Sequence, residues 1–180
     1  MQIYFNSSPV KFPFQFDSIG NNWDQEPTLR PDGFPLYHYL QTQEGCGILT
    51  IDGRDYTIEE NQGVLLAPGV SHAYRSASGK WITLFATFSG SMSPYFSTLF
   101  GSSHLLFFAA EKAAILRKLI DQAVLHHQET PVNPQLLSLE CYQVLLQFTG
   151  GLQTNPSRQP AWEKYIRPVL AIIHTRYMED

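Results

Sequence analysis

Two hydrophobic periods divide the chain near residue 105. Before that point, short apolar-alternating segments are separated by turn residues. Phe12, Phe14 and Phe16 alternate with Pro13 and Gln15. Residues 36–40 read as extended, and Gln43-Glu44-Gly45 as a turn. Residues 46–51 read as a strand, Asp52-Gly53 as a hairpin signal and 54–58 as the returning strand. After a turn at 59–63, a short buried strand at 64–67 is stopped by Pro68-Gly69. Strands at 72–76 and 81–88 complete the set. Many short strands punctuated by Gly and Pro, with no helical pattern between them, predict an antiparallel sandwich or barrel.

After residue 105 the period becomes helical. Leu116, Leu119, Ile120, Ala123 and His127 share one stripe of a helix over 111–128. Thr130-Pro131 breaks it, and Asn133-Pro134 starts a second helix with a good N-cap and a good first residue. That helix, 134–148, is apolar on most sides, so it needs partners on more than one side. Gly150-Gly151 ends it. Residues 152–160 are polar and proline-flanked, as in a linker. Beyond them Trp162, Ile166, Val169, Leu170 and Ile173 form the stripe of a last helix, which suggests a further domain.

Composition narrows the field. The 180 residues are enough for about one domain with a short appendage. Roughly 70% of the unfolded surface can be buried at this size, so neither a disulfide nor a structural metal is required. Twelve basic and sixteen acidic residues give a net charge of −4 without a basic tract, a poor match for nucleic acid. No apolar run approaches the roughly 20 residues that span a bilayer. The N-terminus lacks the pattern of a signal peptide. Cys46 and Cys141 read as free thiols of a cytoplasmic protein.

Candidate chemistry gathers in the strand region. The segment 63–74 runs from a turn glycine through Pro68-Gly69 to a strand that presents His72 and Tyr74 on one face. On the last strand, Trp81, Thr83, Phe85 and Thr87 share a face that mixes aromatic platforms with hydroxyls. Such a face suits a partly polar ligand such as a sugar. The opposite face, Ile82, Leu84, Ala86 and Phe88, is core. Arg30, just before a strand, can fork two hydrogen bonds to hydroxyls or a carboxylate. Each residue also has a plain structural role open to it, as a packed aromatic, a satisfied histidine or a solvated arginine. A metal would need three or four converging ligands. His38 and His72 with a carboxylate are the weak candidates, so no metal or other cofactor is expected. No nucleophile elbow, Walker loop or dinucleotide glycine pattern appears.

The residues Arg30-Pro31, Gly45-x-Gly47, Gly63, Pro68-Gly69-x-x-His72-x-Tyr74, Trp81 and Phe88-Ser-Gly90 resemble the sensor domain of the arabinose-operon regulator (AraC) family. The two helices after residue 110 resemble that family's dimerisation helices, and 165–180 its first DNA-binding helix. The resemblance implies a mainly β fold: a cupin-like double-stranded β-barrel (jelly roll) followed by two antiparallel helices. It implies a barrel with an N-terminal arm over 1–108, a helical dimerisation segment over 109–151, and a linker with the start of a truncated helix-turn-helix domain over 152–180. It implies a non-enzymatic module that senses a small effector, a sugar or related polar molecule. It also implies a homodimer, with DNA contacted only through a missing C-terminal domain. In the arabinose-binding member the ligand meets positions matching Arg30, Tyr74, Thr83 and Phe85, under an arm that corresponds to 1–16. Thr83 and Phe85 replace that member's histidine and tryptophan, which argues against arabinose itself. Ligand-binding candidates are thus Arg30, His72, Tyr74, Trp81, Thr83 and Phe85. The rival readings are a small cupin enzyme (a sugar isomerase or a metal-dependent oxygenase) and a carbohydrate-binding module without a regulatory role. The His-x-His motif of metal-binding cupins is missing at Tyr37-His38-Tyr39.

Overall fold

The computed structural model describes residues 1–101 and 103–151. The linker and last helix expected at 152–180 lie outside the described residues. Strands β1 (Gln2–Phe5), β2 (Gln15–Asp24), β3 (Thr28–Arg30), β4 (Tyr37–Glu44), β5 (Gly47–Ile51) and β6 (Arg54–Ile58) are followed by β7 (Gly63–Leu66), β8 (His72–Ser76) and β9 (Ile82–Ser89). A short helix α1 (Phe96–Phe100), strand β10 (Leu105–Phe108) and two longer helices, α2 (Ala110–His126) and α3 (Pro134–Gln147), complete the chain.

The strands fall into two antiparallel sheets. One has the order β1-β2-β9-β4-β7-β10, the other β3-β8-β5-β6. The expected closed barrel is not seen: among the described residues, no strand pairing joins the two sheets. The fold is mostly β with two C-terminal helices, and the sheets face each other across a core.

Strand alternation builds that core. In the large sheet Tyr39, Leu65, Leu84, Ala86, Phe88 and Phe108 point to one side. There they pack with Ala113, Leu116 and Ile120 of α2 and with Cys141, Val144 and Leu145 of α3. Leu40, Val64, Leu66 and Phe107 point to the other side, against Leu49, Ile51, Ile58 and Tyr74 of the small sheet. The large sheet is therefore the middle of three layers. Each of its fully buried side chains contributes about 1.5–3 kcal/mol of burial free energy. The β5–β6 hairpin turns at Asp52 and Gly53, with φ of 50° and 71°, the two left-handed residues that a two-residue turn demands. Trp81 lies across Gly47, where an added Cβ would stand 2.0 Å from the indole. The same indole donates its N–H to Thr42 Oγ1 at 2.9 Å.

Helices α2 and α3 run antiparallel, since Lys112 reaches Gln147 and His126 reaches Glu140. Asn133 caps α3 by accepting the Leu136 N–H at 3.1 Å, and Pro134 is its first residue. The chain itself covers much of α3: Leu137, Cys141, Val144 and Leu145 are buried, while Leu139 and Leu146 stay exposed. Glu140 is buried too. It accepts hydrogen bonds from His126 Nδ1 at 2.6 Å and Gln122 Nε2 at 3.1 Å.

Candidate functional site

Between the sheets, at the end bounded by β1, β2, β3 and β9, lies a cavity of about 310 Å³. Strand phase decides its lining. On β9, Phe85 and Thr87 face it while Leu84, Ala86 and Phe88 face the helices. The Phe85 ring fits because Gly20 is its cross-strand neighbour; a Cβ at Gly20 would lie 2.8 Å from Phe85 Cε1. From β2 come Ser18 and Trp23, and from the β2–β3 connection Gln25. Strand β3 contributes Thr28 and Arg30, β4 contributes His38, and β8 contributes Tyr74. Phe34 closes one side, and Ile3 and Phe5 of β1 close another.

The predicted residues are placed as follows. Arg30, Tyr74 and Phe85 line the cavity together. Arg30 does not precede a strand. It ends the three-residue β3 and is paired in register with His72. Thr83 is fully buried and not among the lining residues, its hydroxyl donating to Gln25 Oε1 at 3.1 Å. Trp81 is buried in the core between the sheets, with its N–H engaged by Thr42, and is not among the lining residues. His72 is likewise not among them; it stacks on Tyr74 with ring centroids 5.8 Å apart. Its Nδ1 donates to the Val70 carbonyl at 2.6 Å, which leaves Nε2 as a buried acceptor without a partner.

The residues that sequence reasoning passed over are Ser18, Trp23, Gln25, Thr28 and Phe34. Ser18 and Trp23 lie on β2, which breaks its register between Phe16 and Ser18 and again between Gly20 and Trp23, with Asn22 at φ 52°. These irregularities erase the period of two that would have revealed an inward face. His38 drew notice only as a metal candidate. Its ring lies 6.4 Å from that of His72, centroid to centroid, and among the described residues no group of three or more His, Cys, Asp or Glu converges there.

The electrostatics of the wall are one-sided. Among the described residues, Arg30 is its only charged side chain. Its guanidinium carbon lies over the Phe34 ring, 4.5 Å from the centroid, a cation–π contact. Burial lowers the His38 pKa to about 3, with Arg30 and His72 adding to the effect. His72 is lowered by burial and by Arg30, against the opposing Val70 hydrogen bond. Both imidazoles are therefore neutral at pH 7. The Tyr74 hydroxyl has no hydrogen bond within the described chain and is free to meet a ligand. The arrangement can hold a small molecule by aromatic contact and hydrogen bonds.

A model of the AraC-like ligand binding domain matches residues 21–145. The chain belongs to the AraC-like ligand binding domain family. The AraC-like match runs from within β2 to near the end of α3, and so takes in the small sheet, most of the large sheet and of the cavity wall, and nearly all of both long helices. Among solved structures, an apo variant of ToxT from Vibrio cholerae superposes with a TM-score of 0.52 at 12% identity, over 80% of this chain and 55% of that one. The AraC-like transcriptional activator CuxR gives 0.52 at 8% identity, over 81% of this chain and 58% of that one. At such identities the likeness shows a shared AraC-like fold. The chain spans little more than half the length of either regulator. A comparison with curated proteins found no match.

Proposed function

We propose that this chain is the effector-sensing and dimerisation module of a cytoplasmic, DNA-binding transcription regulator. In this reading residues 1–108 form the sensor, a variant of the cupin-like jelly roll. Residues 109–151 form the dimer contact, and 152–180 lead toward a DNA-reading domain outside these 180 residues. The module is a binder and carries out no reaction. No helix of the described residues is long and apolar enough to cross a membrane.

The observation that carries the reading is the cavity, at which Arg30, Tyr74 and Phe85 converge from three strands beside the N-terminal strand. Its volume is at the lower end of small-molecule sites, about 300–1,000 Å³. It suits an effector the size of a sugar, with aromatic walls for its ring and Arg30 and Tyr74 for its polar groups. A thermal-shift screen of pentoses, hexoses and their acids on the 180-residue chain tests this. A ligand present at 100 times its Kd adds about 2.7 kcal/mol, a rise of roughly 5–10 °C at this size. Tyr74→Phe should weaken a true effector about five- to 150-fold. If no compound shifts the melting point, or the shift survives Tyr74→Phe and Arg30→Ala unchanged, the cavity is not the effector site.

The dimer contact is supported by the exposed apolar residues of the helices. Leu139 and Leu146 of α3 and Ile115 and Leu125 of α2 remain uncovered. Leu139 and Leu146 are seven residues apart and lie on one stripe, the geometry of a helix-to-helix seam.

A further inference from the structure

We propose that the effector carries a negative charge, a carboxylate on a sugar-sized body, gripped by Arg30. The inference rests on the cavity being the effector site. It goes further by choosing between neutral and anionic ligands.

Three observations carry it. First, among the described residues the wall contains a guanidinium and no carboxylate. The ion pairs of the described residues are Arg117 with Asp121 and His126 with Glu140, and neither involves Arg30. Asp17 comes closest to the wall through a contact: its Oδ2 accepts a 3.4 Å hydrogen bond from Thr87 Oγ1, but it does not line the cavity. Second, Arg30 is held in place yet unsatisfied. Its guanidinium carbon sits over Phe34, while its Nε is buried with no hydrogen-bond partner. A buried donor without a partner is costly, and a planar guanidinium matches a carboxylate with two parallel bonds. Third, part of the acceptor capacity that a neutral sugar's hydroxyls would use is already engaged. Ser18 Oγ and Thr87 Oγ1 bond each other at 2.8 Å, and Gln25 Oε1 takes the Thr83 hydroxyl. Arg30 adds to the wall an unspent donor that carries a charge. An anion uses donors and returns none. The two imidazoles beside Arg30 are neutral, so they do not compete with it for the charge.

The experiment is calorimetry on the 180-residue chain with matched pairs: galacturonate against galactose, glucuronate against glucose, and gluconate against sorbitol. Each is measured for the wild type, Arg30→Gln and Arg30→Lys, at low and high salt. At least one acid should bind at least tenfold more tightly than its neutral partner. Arg30→Gln should cost that acid roughly 10- to 150-fold, the weight of hydrogen bonds between charged groups. Arg30→Lys should restore part of the loss, because the charge returns without the fork. Neutral members binding as well as the acids would overturn the charge preference while leaving the effector site standing. An acid that binds equally well to Arg30→Gln would overturn the role of Arg30. If no member of any pair bound at 10 mM, both this inference and the sugar-sized effector would fall. Circular dichroism and melting of Arg30→Gln separate a lost contact from a lost fold.

Discussion

Lowering the pH from 7 to 5 places a proton on His38 in the unfolded chain but not in the folded one. The imidazole is buried on β4 beside Arg30, and its folded pKa is about 3 against 6.5 for a free side chain. A depressed pKa means that the unfolded state binds more protons between these two values. Stability from this group is therefore complete above pH 6.5 and drains away as the pH falls toward 3. At pH 7 the unfolded imidazole is mostly neutral and the loss is small. At pH 5 it is 1.5 units below its pKa, which at about 1.36 kcal/mol per unit removes about 2 kcal/mol. For a urea slope of about 2 kcal/mol per molar, the unfolding midpoint drops by about 1 M. Other groups titrate over the same range, so the informative quantity is a difference. Urea melts of wild type and His38→Gln at pH 7 and 5 isolate it. His72 and the carboxylates act in both proteins and cancel. The wild type should lose about 1 M more than the variant. Parallel losses, within 0.2 M of each other, would refute the buried, neutral state assigned to His38.

Three further outcomes follow from the packing. Gly47→Ala should destabilise the fold by about 1–3 kcal/mol, because the new methyl meets the Trp81 indole, and Trp81 fluorescence in a chemical melt reads the change. Leu139→Glu should leave the melting point of the monomer nearly unchanged but shift sedimentation from dimer to monomer at micromolar concentration; a wild type already monomeric there would remove the proposed interface. Cys141 is buried, and its thiol pKa is raised well above the ordinary range by that burial. A thiol reagent should therefore modify Cys46 first in the native chain and reach Cys141 only after urea is added.

Where a residue obeys a clean period, its place was legible from the sequence. The hairpin over Asp52-Gly53 and the strand beginning at His72 have the expected bounds, because turn chemistry fixes them locally. The alternation of β9 assigned Phe85 and Thr87 to one face and Leu84 and Phe88 to the other, as the packing shows. The two helices begin and end within two residues of the periodicity, since Asn133 and Pro134 mark the start of α3. Strand β2 was illegible: its two register breaks and the left-handed Asn22 scramble the alternation, and three of the five missed wall residues, Ser18, Trp23 and Gln25, belong to it or to the loop that follows. Strand β10 was hidden for another reason. Leu105 to Phe108 are apolar without interruption because both faces are covered, and such a run carries no period. Trp81 misled because its phase on the strand matched Thr83 and Phe85. Yet the absence of a side chain at Gly47 drew its ring into the core, and that is a tertiary fact. The exposed stripe of α3 was likewise out of reach, because a helix apolar on most sides does not say which side its own chain will cover.

The middle sheet separates two kinds of freedom. Successive residues of β9 answer to different masters: Phe85 and Thr87 touch whatever occupies the cavity, while Ala86 and Phe88 touch only protein. Strand β4 divides in the same way, with His38 toward the cavity and Tyr39 toward the helices. A lineage, or an engineer, can therefore rewrite Phe85 and Thr87 for a new small molecule while leaving the helix-facing positions of β9 as they are. A saturation library confined to Ser18, Phe85 and Thr87 samples recognition at nearly constant fold, whereas one at Leu84, Ala86 and Phe88 samples folding at nearly constant recognition.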